Sequence, residues 1–270
     1  MKRFAYYSVA ALALAFVCQT SAQAQTPNPN AAFTQTAYFN DCPVSVPTVT
    51  NSYPALVRIS EVDAFGCAGG LNKDLWKFSE DGGATKAAFN NNSNYSFCAD
   101  VTLSGQDTAD LEGGIEISPW WSDGDGQFYI NGNSGEIAAF GGRLPFYTFT
   151  VAYGAHYVLG STIHMACTYI SGPIDPTISS VPATVKYDIV IGGTPYTSGP
   201  LNFDQGNTSE NPPHGLWGEL NPASVGGYLQ VGHTGAPTNG SESWANICYS
   251  NLQTTPAKQT SWGALKTLYR

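Results

Sequence analysis

Two carboxylates in one short run, Glu112 and Glu116, are the residues whose type best suits acid–base work. In Leu111-Glu112-Gly113-Gly114-Ile115-Glu116-Ile117-Ser118 a period of two sets Glu112, Gly114, Glu116 and Ser118 on one face, opposite Leu111, Ile115 and Ile117. Four extended residues separate the acids by about 13 Å. Cleavage of a glycosidic bond by two carboxyls needs about 5 Å with retention and at most about 9.5 Å with inversion. The pair therefore works only if a bulge at Gly113-Gly114 shortens it, or if a partner comes from another strand, such as Asp188 or Glu219. A polar, solvated sheet face is the plainer reading of the same residues.

Aromatic and basic side chains cluster around this run. Pro119-Trp120-Trp121-Ser122 closes it, and an indole beside polar groups suits stacking on the apolar face of a sugar ring. Neighbours on a strand face opposite ways, so one of Trp120 and Trp121 is expected outward and the other in the core. Tyr129, Arg143 and Tyr147 follow, and His214-Gly215-Leu216-Trp217 repeats the combination of a glycine and an exposed ring. Arg143 would hold a carboxylate or a pair of hydroxyls, or neutralise Glu112 or Glu116. Asp123-Gly124-Asp125 places two oxygen donors in a turn, a weak calcium site that lacks the other ligands of a dedicated loop. His156, His164, His214 and His233 form no zinc signature, and neither a G-x-S-x-G elbow nor a glycine-rich phosphate cradle occurs. No resident cofactor is expected.

Strands must position these groups. Alternation recurs between Gly, Asn and Pro clusters at 75–79, 95–103, 111–118, 127–131, 135–140, 145–151, 162–170, 183–191, 195–203, 215–220, 226–231 and 243–250. Gly192-Gly193 marks a tight hairpin, and Asp123 to Gly126 separates two more strands. Residues 25–37 lack periodicity and are read as a mobile arm, followed to residue 70 by an irregular segment with short β-prone runs. No long amphipathic helix is expected before residue 259. About twelve strands exceed what one flat sheet carries, so two packed sheets are expected.

Composition agrees with one all-β domain: 270 residues are 42% apolar and 13% aromatic but only 11% charged, which excludes a disordered chain or a coiled coil. Residues 1–24 resemble a cleaved export signal, with Lys2 and Arg3, an apolar run from Val9 to Val17, and Ala22-Gln23-Ala24. That run is too short to span a bilayer. Its removal takes the formal net charge from −9 to −11, because Lys2 and Arg3 leave with it. Nucleic acid is a poor partner for that balance. Export makes disulfides the default for Cys42, Cys67, Cys98, Cys167 and Cys248. Cys167 shares an apolar face with Ile163, Met165 and Tyr169 and is expected to remain a buried thiol, with Cys42 bridged to Cys67 and Cys98 to Cys248.

The series Trp76-Lys77-Phe78-Ser79, Phe97 to Leu103, Glu112 to Ser118 and Trp244 to Tyr249 resembles the strand order of concanavalin A-like, laminin-G-like jelly rolls. The resemblance covers about 71–252 and implies a two-sheet antiparallel β-sandwich. In that superfamily an early strand lies beside the last one, which would place Cys98 near Cys248. Endoglucanases of the superfamily carry their acids as E-x-D-x-x-E, and the central Asp is absent here. The chain thus divides into a signal at 1–24, an arm and irregular segment at 25–70, a jelly roll at 71–252, and a tail at 253–270. That tail has helical spacing of Trp262, Leu265 and Leu268, and would serve sorting, anchoring or docking. A secreted, glycan-binding sandwich is the expectation these features favour. The alternatives are a glycoside hydrolase or polysaccharide lyase on the same scaffold, with Glu112 or Glu116 as acid or nucleophile, and a structural or surface protein.

Overall fold

The computed structural model describes residues 26–63, 67–90, 93–106, 111–119, 121–142, 144–172, 182–203, 222–235 and 238–252. The expected export signal, Trp120, Arg143, the strand expected at 215–220 with His214, Trp217 and Glu219, and the tail 253–270 lie outside the described residues.

The described chain forms β1 (Ala31–Asn40), β2 (Val46–Ser52), β3 (Leu56–Asp63), β4 (Ala68–Ser79), β5 (Tyr95–Gly105), β6 (Glu112–Ser118), β7 (Gln127–Asn131), β8 (Ile137–Phe140), β9 (Tyr147–Thr148), α1 (Phe149–Tyr153), β10 (Thr162–Ile170), β11 (Thr184–Ile191), β12 (Thr194–Asn202), β13 (Ser224–Thr234) and β14 (Thr238–Asn251). They build two seven-stranded sheets, in the orders β1-β4-β13-β6-β7-β8-β9 and β12-β11-β10-β5-β14-β3-β2, and the pairings between these strands are antiparallel. This is the jelly-roll sandwich expected from the strand pattern.

Alternation dictates the core. Tyr95, Phe97, Ala99, Val101 and Leu103 of β5 are sealed while the residues between them keep partial access. Ile163, Met165, Cys167 and Tyr169 of β10 do the same on the neighbouring strand. Against them the first sheet turns Trp76, Phe78, Ile115, Ile117, Phe128 and Leu229, each fully or almost fully buried. Each such side chain contributes about 1.5–3 kcal/mol of transfer free energy. At the centre, Trp76 and Trp244 meet edge to face at 5.8 Å, and both indoles fill the space a Cβ at Gly227 would need. Trp244 Nε1 donates to the Gly114 carbonyl at 2.9 Å, which satisfies the buried indole N–H.

Disulfides join Cys42 to Cys67 and Cys98 to Cys248, and Cys167 is a buried thiol outside both. The second bridge is cross-strand, since Cys98 and Cys248 are Cα partners on β5 and β14.

Two expectations are corrected. Residues read as a mobile arm form β1, which pairs with β4 from Ala31↔Ser79 to Gln35↔Leu75, shifts register, and resumes at Phe39↔Lys73. An edge strand with mostly accessible side chains needs no hydrophobic alternation, because its ladder comes from the neighbour. The strand expected at 145–151 stops after Thr148, whose hydroxyl caps the Val151 N–H, and Gly154 closes α1 at φ 66. At Gly192-Gly193 φ values of 56 and 81 supply the expected tight turn between β11 and β12.

Candidate functional site

The outer face of the first sheet carries the chemistry, because registration lines its side chains up in rows. One row runs Lys73, Gln230, Glu112, Asn131 across β4, β13, β6 and β7. The next runs Leu75, Tyr228, Gly114, Tyr129, Ala138, and the third Lys77, Gly226, Glu116, Gln127, Phe140. Gly226 has no side chain, so Lys77 can reach over β13 to Glu116 on the strand beyond.

That reach produces a buried ion cluster. Lys73 Nζ lies 3.0 Å from Glu116 Oε1 and Lys77 Nζ 2.7 Å from Glu116 Oε2. Lys77 also donates to Ser118 Oγ at 2.7 Å, and Lys73 to the Gly124 carbonyl at 2.7 Å. Lys73 sits 4.1 Å from the centre of the Tyr228 ring, a cation–π contact. Desolvation lowers the Lys77 pKa, and the attraction of Glu116 works against that shift. Glu116 is 0% exposed. Its carboxylate balances buried ammonium groups and does not meet solvent.

Register runs one to one through Gly113 and Gly114 against both neighbours, so the bulge that would bring the two acids together is absent. The separation of Glu112 from Glu116 therefore remains that of an extended strand. Asp188 belongs to β11 of the other sheet, where it pairs with Lys186 at 2.8 Å, and supplies no second acid here. Glu112 is half-buried on the outer face, between Gln230 and Asn131.

A lid of loop and strand covers the middle row. Tyr38 packs on Leu75, Tyr129, Ala138 and Tyr228, its ring filling the space a Gly124 Cβ would need, with its hydroxyl 3.4 Å from Ser122 Oγ. Tyr129 is 8% exposed and donates to Glu136 Oε2 at 2.8 Å. Desolvation, with the negative charges of Glu136 and Glu112, pushes the Tyr129 hydroxyl far up, and burial does the same for Tyr228. Both stay protonated at neutral pH.

Beside this lid the face opens into a hollow of about 400 Å³ lined by Phe39, Asp41, Leu71, Lys73, Gly124, Asp125, Gln127 and Gln230. Phe39 is 51% exposed, so its ring has a face available to a ligand. Asp125, Asp41, Gln127 and Gln230 line the hollow with it, and Gln127 Nε2 donates to the Gly124 carbonyl at 3.2 Å. Asp41 Oδ2 accepts the Leu71 N–H at 3.0 Å, which ties the β1 wall to β4.

Of the residues singled out in the sequence, Glu112, Glu116, Tyr129 and Asp125 meet on this face. Trp121 is half-buried in the segment before β7, and Tyr147, on edge strand β9, packs against Phe149 at 5.0 Å. Asp123 forms an ion pair with Lys86 and lies 3.4 Å from Ser224 Oγ. Sequence reasoning missed Phe39, Asp41, Lys73, Gln127 and Gln230. One signal was available: Lys73 and Lys77 share a face of a strand otherwise rich in core residues, and such a pair calls for a buried acid.

No protein-family model and no curated protein matches the chain. Among solved structures it is similar to an alginate lyase from Corynebacterium sp., with 14% identity over 74% of this chain and 82% of that one and a TM-score of 0.40. Alginate lyase vAL-1 from Chlorella virus is similar with 9% identity over 77% and 90% and a TM-score of 0.42. A family 7 alginate lyase solved with substrate is similar with 8% identity over 76% and 83%, also at 0.42. At these identities the likeness concerns fold alone.

Proposed function

We propose that the chain is a secreted carbohydrate-binding sandwich that seats a polysaccharide in the hollow on the outer face of its first sheet. The observation that carries this reading is the half-exposed Phe39 ring set among the Gln127 and Gln230 amides and the Asp41 and Asp125 carboxylates. An aromatic platform with convergent polar groups suits a sugar, which offers an apolar face and a rim of hydroxyls. Charge narrows the ligand. Lys73, the cation lining the hollow, is already engaged by Glu116 and the Gly124 carbonyl, and two aspartates, Asp41 and Asp125, line the same hollow. A neutral glycan fits that balance better than a polyuronate. Export is supported by the two disulfides and by the basic, apolar and small-residue order of the first 24 residues. Among the described residues no helix is long and apolar enough to cross a membrane.

A second reading, a polysaccharide lyase, draws on one observation: Lys73, Gln127, Tyr129 and Tyr228 share this face. Elimination beside a uronate carboxylate uses a group that neutralises that carboxylate and a hydroxyl that shuttles a proton. Against it, both tyrosine hydroxyls are pushed up by burial and are poor bases.

The test is a glycan array containing neutral and uronate polymers, read beside ultraviolet detection of unsaturated ends and a reducing-sugar assay. Retention of a neutral glycan without product supports the binding reading. Unsaturated product from a uronate polymer supports the lyase. Retention of nothing, with no product, rejects both.

A further inference from the structure

A second hollow, of about 370 Å³, lies on the outer face of the second sheet, with Lys186, Asp188, Val190, Pro195, Tyr196 and Thr197 in its lining. On β11 the sealed residues Val185, Tyr187 and Ile189 point into the core, so Lys186, Asp188 and Val190 lie outward. β12 supplies the other wall. It is the edge strand of this sheet, and the Tyr196 ring on it lies 5.0 Å from the ring of Tyr153 on α1. Tyr153 is 46% exposed, and its hydroxyl donates to the Thr197 carbonyl at 2.7 Å, which holds the edge strand against α1.

Polar groups border this hollow, and each charge is answered. Lys186 Nζ lies 2.8 Å from Asp188 Oδ2, and both side chains keep partial access to solvent. At the far end of the β11 wall, the Cα partner of Val190 on β10 is His164, whose side chain is 39% exposed. His164 Nδ1 lies 2.8 Å from Asp100 Oδ1, and Asn246 Nδ2 donates to Asp100 Oδ2 at 2.8 Å. Side chains of β5 and β14 thus fix the imidazole in advance, which lowers the ordering cost of any bond it makes to a ligand. With the charges paired, accessible rings beside fixed polar groups suit a neutral ligand that has an apolar face and a rim of hydroxyls.

We propose that this hollow is a second, weaker glycan site, and that the two hollows together let one molecule bridge two strands of a neutral polysaccharide. They lie on the outer faces of opposite sheets, which pack about 10 Å apart, so one straight polymer strand cannot lie across both. Two occupied hollows therefore join two strands. The second is the weaker because, among the described residues, no amide side chain lines it where Gln127 and Gln230 line the first, and because Lys186 and Asp188 are engaged with each other. The bridge rests on the reading of the first hollow as a glycan site, whereas the second hollow stands on its own geometry.

The experiment uses the full chain with soluble neutral polymers, a mixed-linkage β-glucan, a galactomannan and a dextran, and with a short oligosaccharide of each. Light scattering reads cross-linking of the polymer, and titration calorimetry counts oligosaccharides per molecule. The wild type is expected to cross-link at least one polymer and to bind two of its oligosaccharides, the second at least about tenfold more weakly. Tyr196→Ala should abolish cross-linking and the weak site, while the strong site keeps its affinity within about twofold. His164→Ala, at a partly exposed position, should weaken the same site whether or not the ring variant folds. One oligosaccharide per molecule, lost in Phe39→Ala and untouched by Tyr196→Ala or His164→Ala, overturns the second site and leaves the first standing. Binding that survives Phe39→Ala at full strength but is lost in Tyr196→Ala overturns the first hollow and with it the bridge. Cross-linking by a molecule that sediments as a dimer, with one oligosaccharide per protomer, also overturns the bridge, and failure to bind any of the polymers overturns both sites.

Discussion

Lys73 and Lys77 converge on the two oxygens of one carboxylate, Glu116, at 3.0 and 2.7 Å, with all three side chains at 2% exposure or less. The strand that looked like a source of catalytic acids instead holds its buried carboxylate as the counter-ion of two buried ammonium groups. Removing that charge leaves both uncompensated. Glu116→Gln is expected to lower stability by about 3–5 kcal/mol, the cost of breaking a buried pair from one side. Urea denaturation followed by tryptophan fluorescence measures it, and a change below about 1 kcal/mol would mean that water reaches the cluster.

Phe39 has the opposite character. Half of its surface is exposed, so Phe39→Ala should leave the unfolding midpoint almost unchanged, within about 0.5 kcal/mol. Affinity for the retained glycan should fall at least about tenfold, as seen by titration calorimetry. A stable variant with unaltered affinity would place the sugar elsewhere.

Gly113 is required for a reason unrelated to turns. The carboxyl of Glu242 occupies the space that a Cβ there would fill. Gly113→Ala should therefore destabilise by about 1–3 kcal/mol through overpacking between the sheets. Thermal unfolding of the variant checks this, and Glu242→Ala in the same chain should recover part of the loss, since it removes the clashing group.

Stability should also respond to pH through Asp74. Its folded value of about 7 lies above the ordinary 3.8, so between those values the native state binds more protons than the unfolded chain. Stability from this group is then greatest below about pH 4, falls by up to about 1.4 kcal/mol per pH unit as pH rises, and levels off above about 7. Subtracting the profile of Asp74→Asn from that of the wild type isolates the slope. A difference that is flat, or that rises with pH, would contradict the burial-driven shift.

Much of the fold was legible because the second sheet obeys a period of two. β5, β10 and β11 alternate sealed and accessible positions, and the strand limits at 127–131 and 162–170 match those read from the pattern. The first sheet was harder to read. Its central strands are covered on both sides, so Lys73, Lys77 and Glu116 are buried although their types suggest solvent. β1 was missed because Phe33, Thr34 and Gln35 take their order from main-chain pairing with β4 rather than from burial. The hollow was missed with it, since Phe39 and Asp41 reach the face only through the bulge at Ala37, a feature that leaves no periodic trace.

The most direct measurement of the central claim is the structure of a complex with whichever glycan the array retains. The account places a sugar ring against Phe39, with its hydroxyls within hydrogen-bonding reach of Gln127 and Gln230. A ring seated instead in the hollow beside Lys186 and Tyr196 on the other sheet would contradict it.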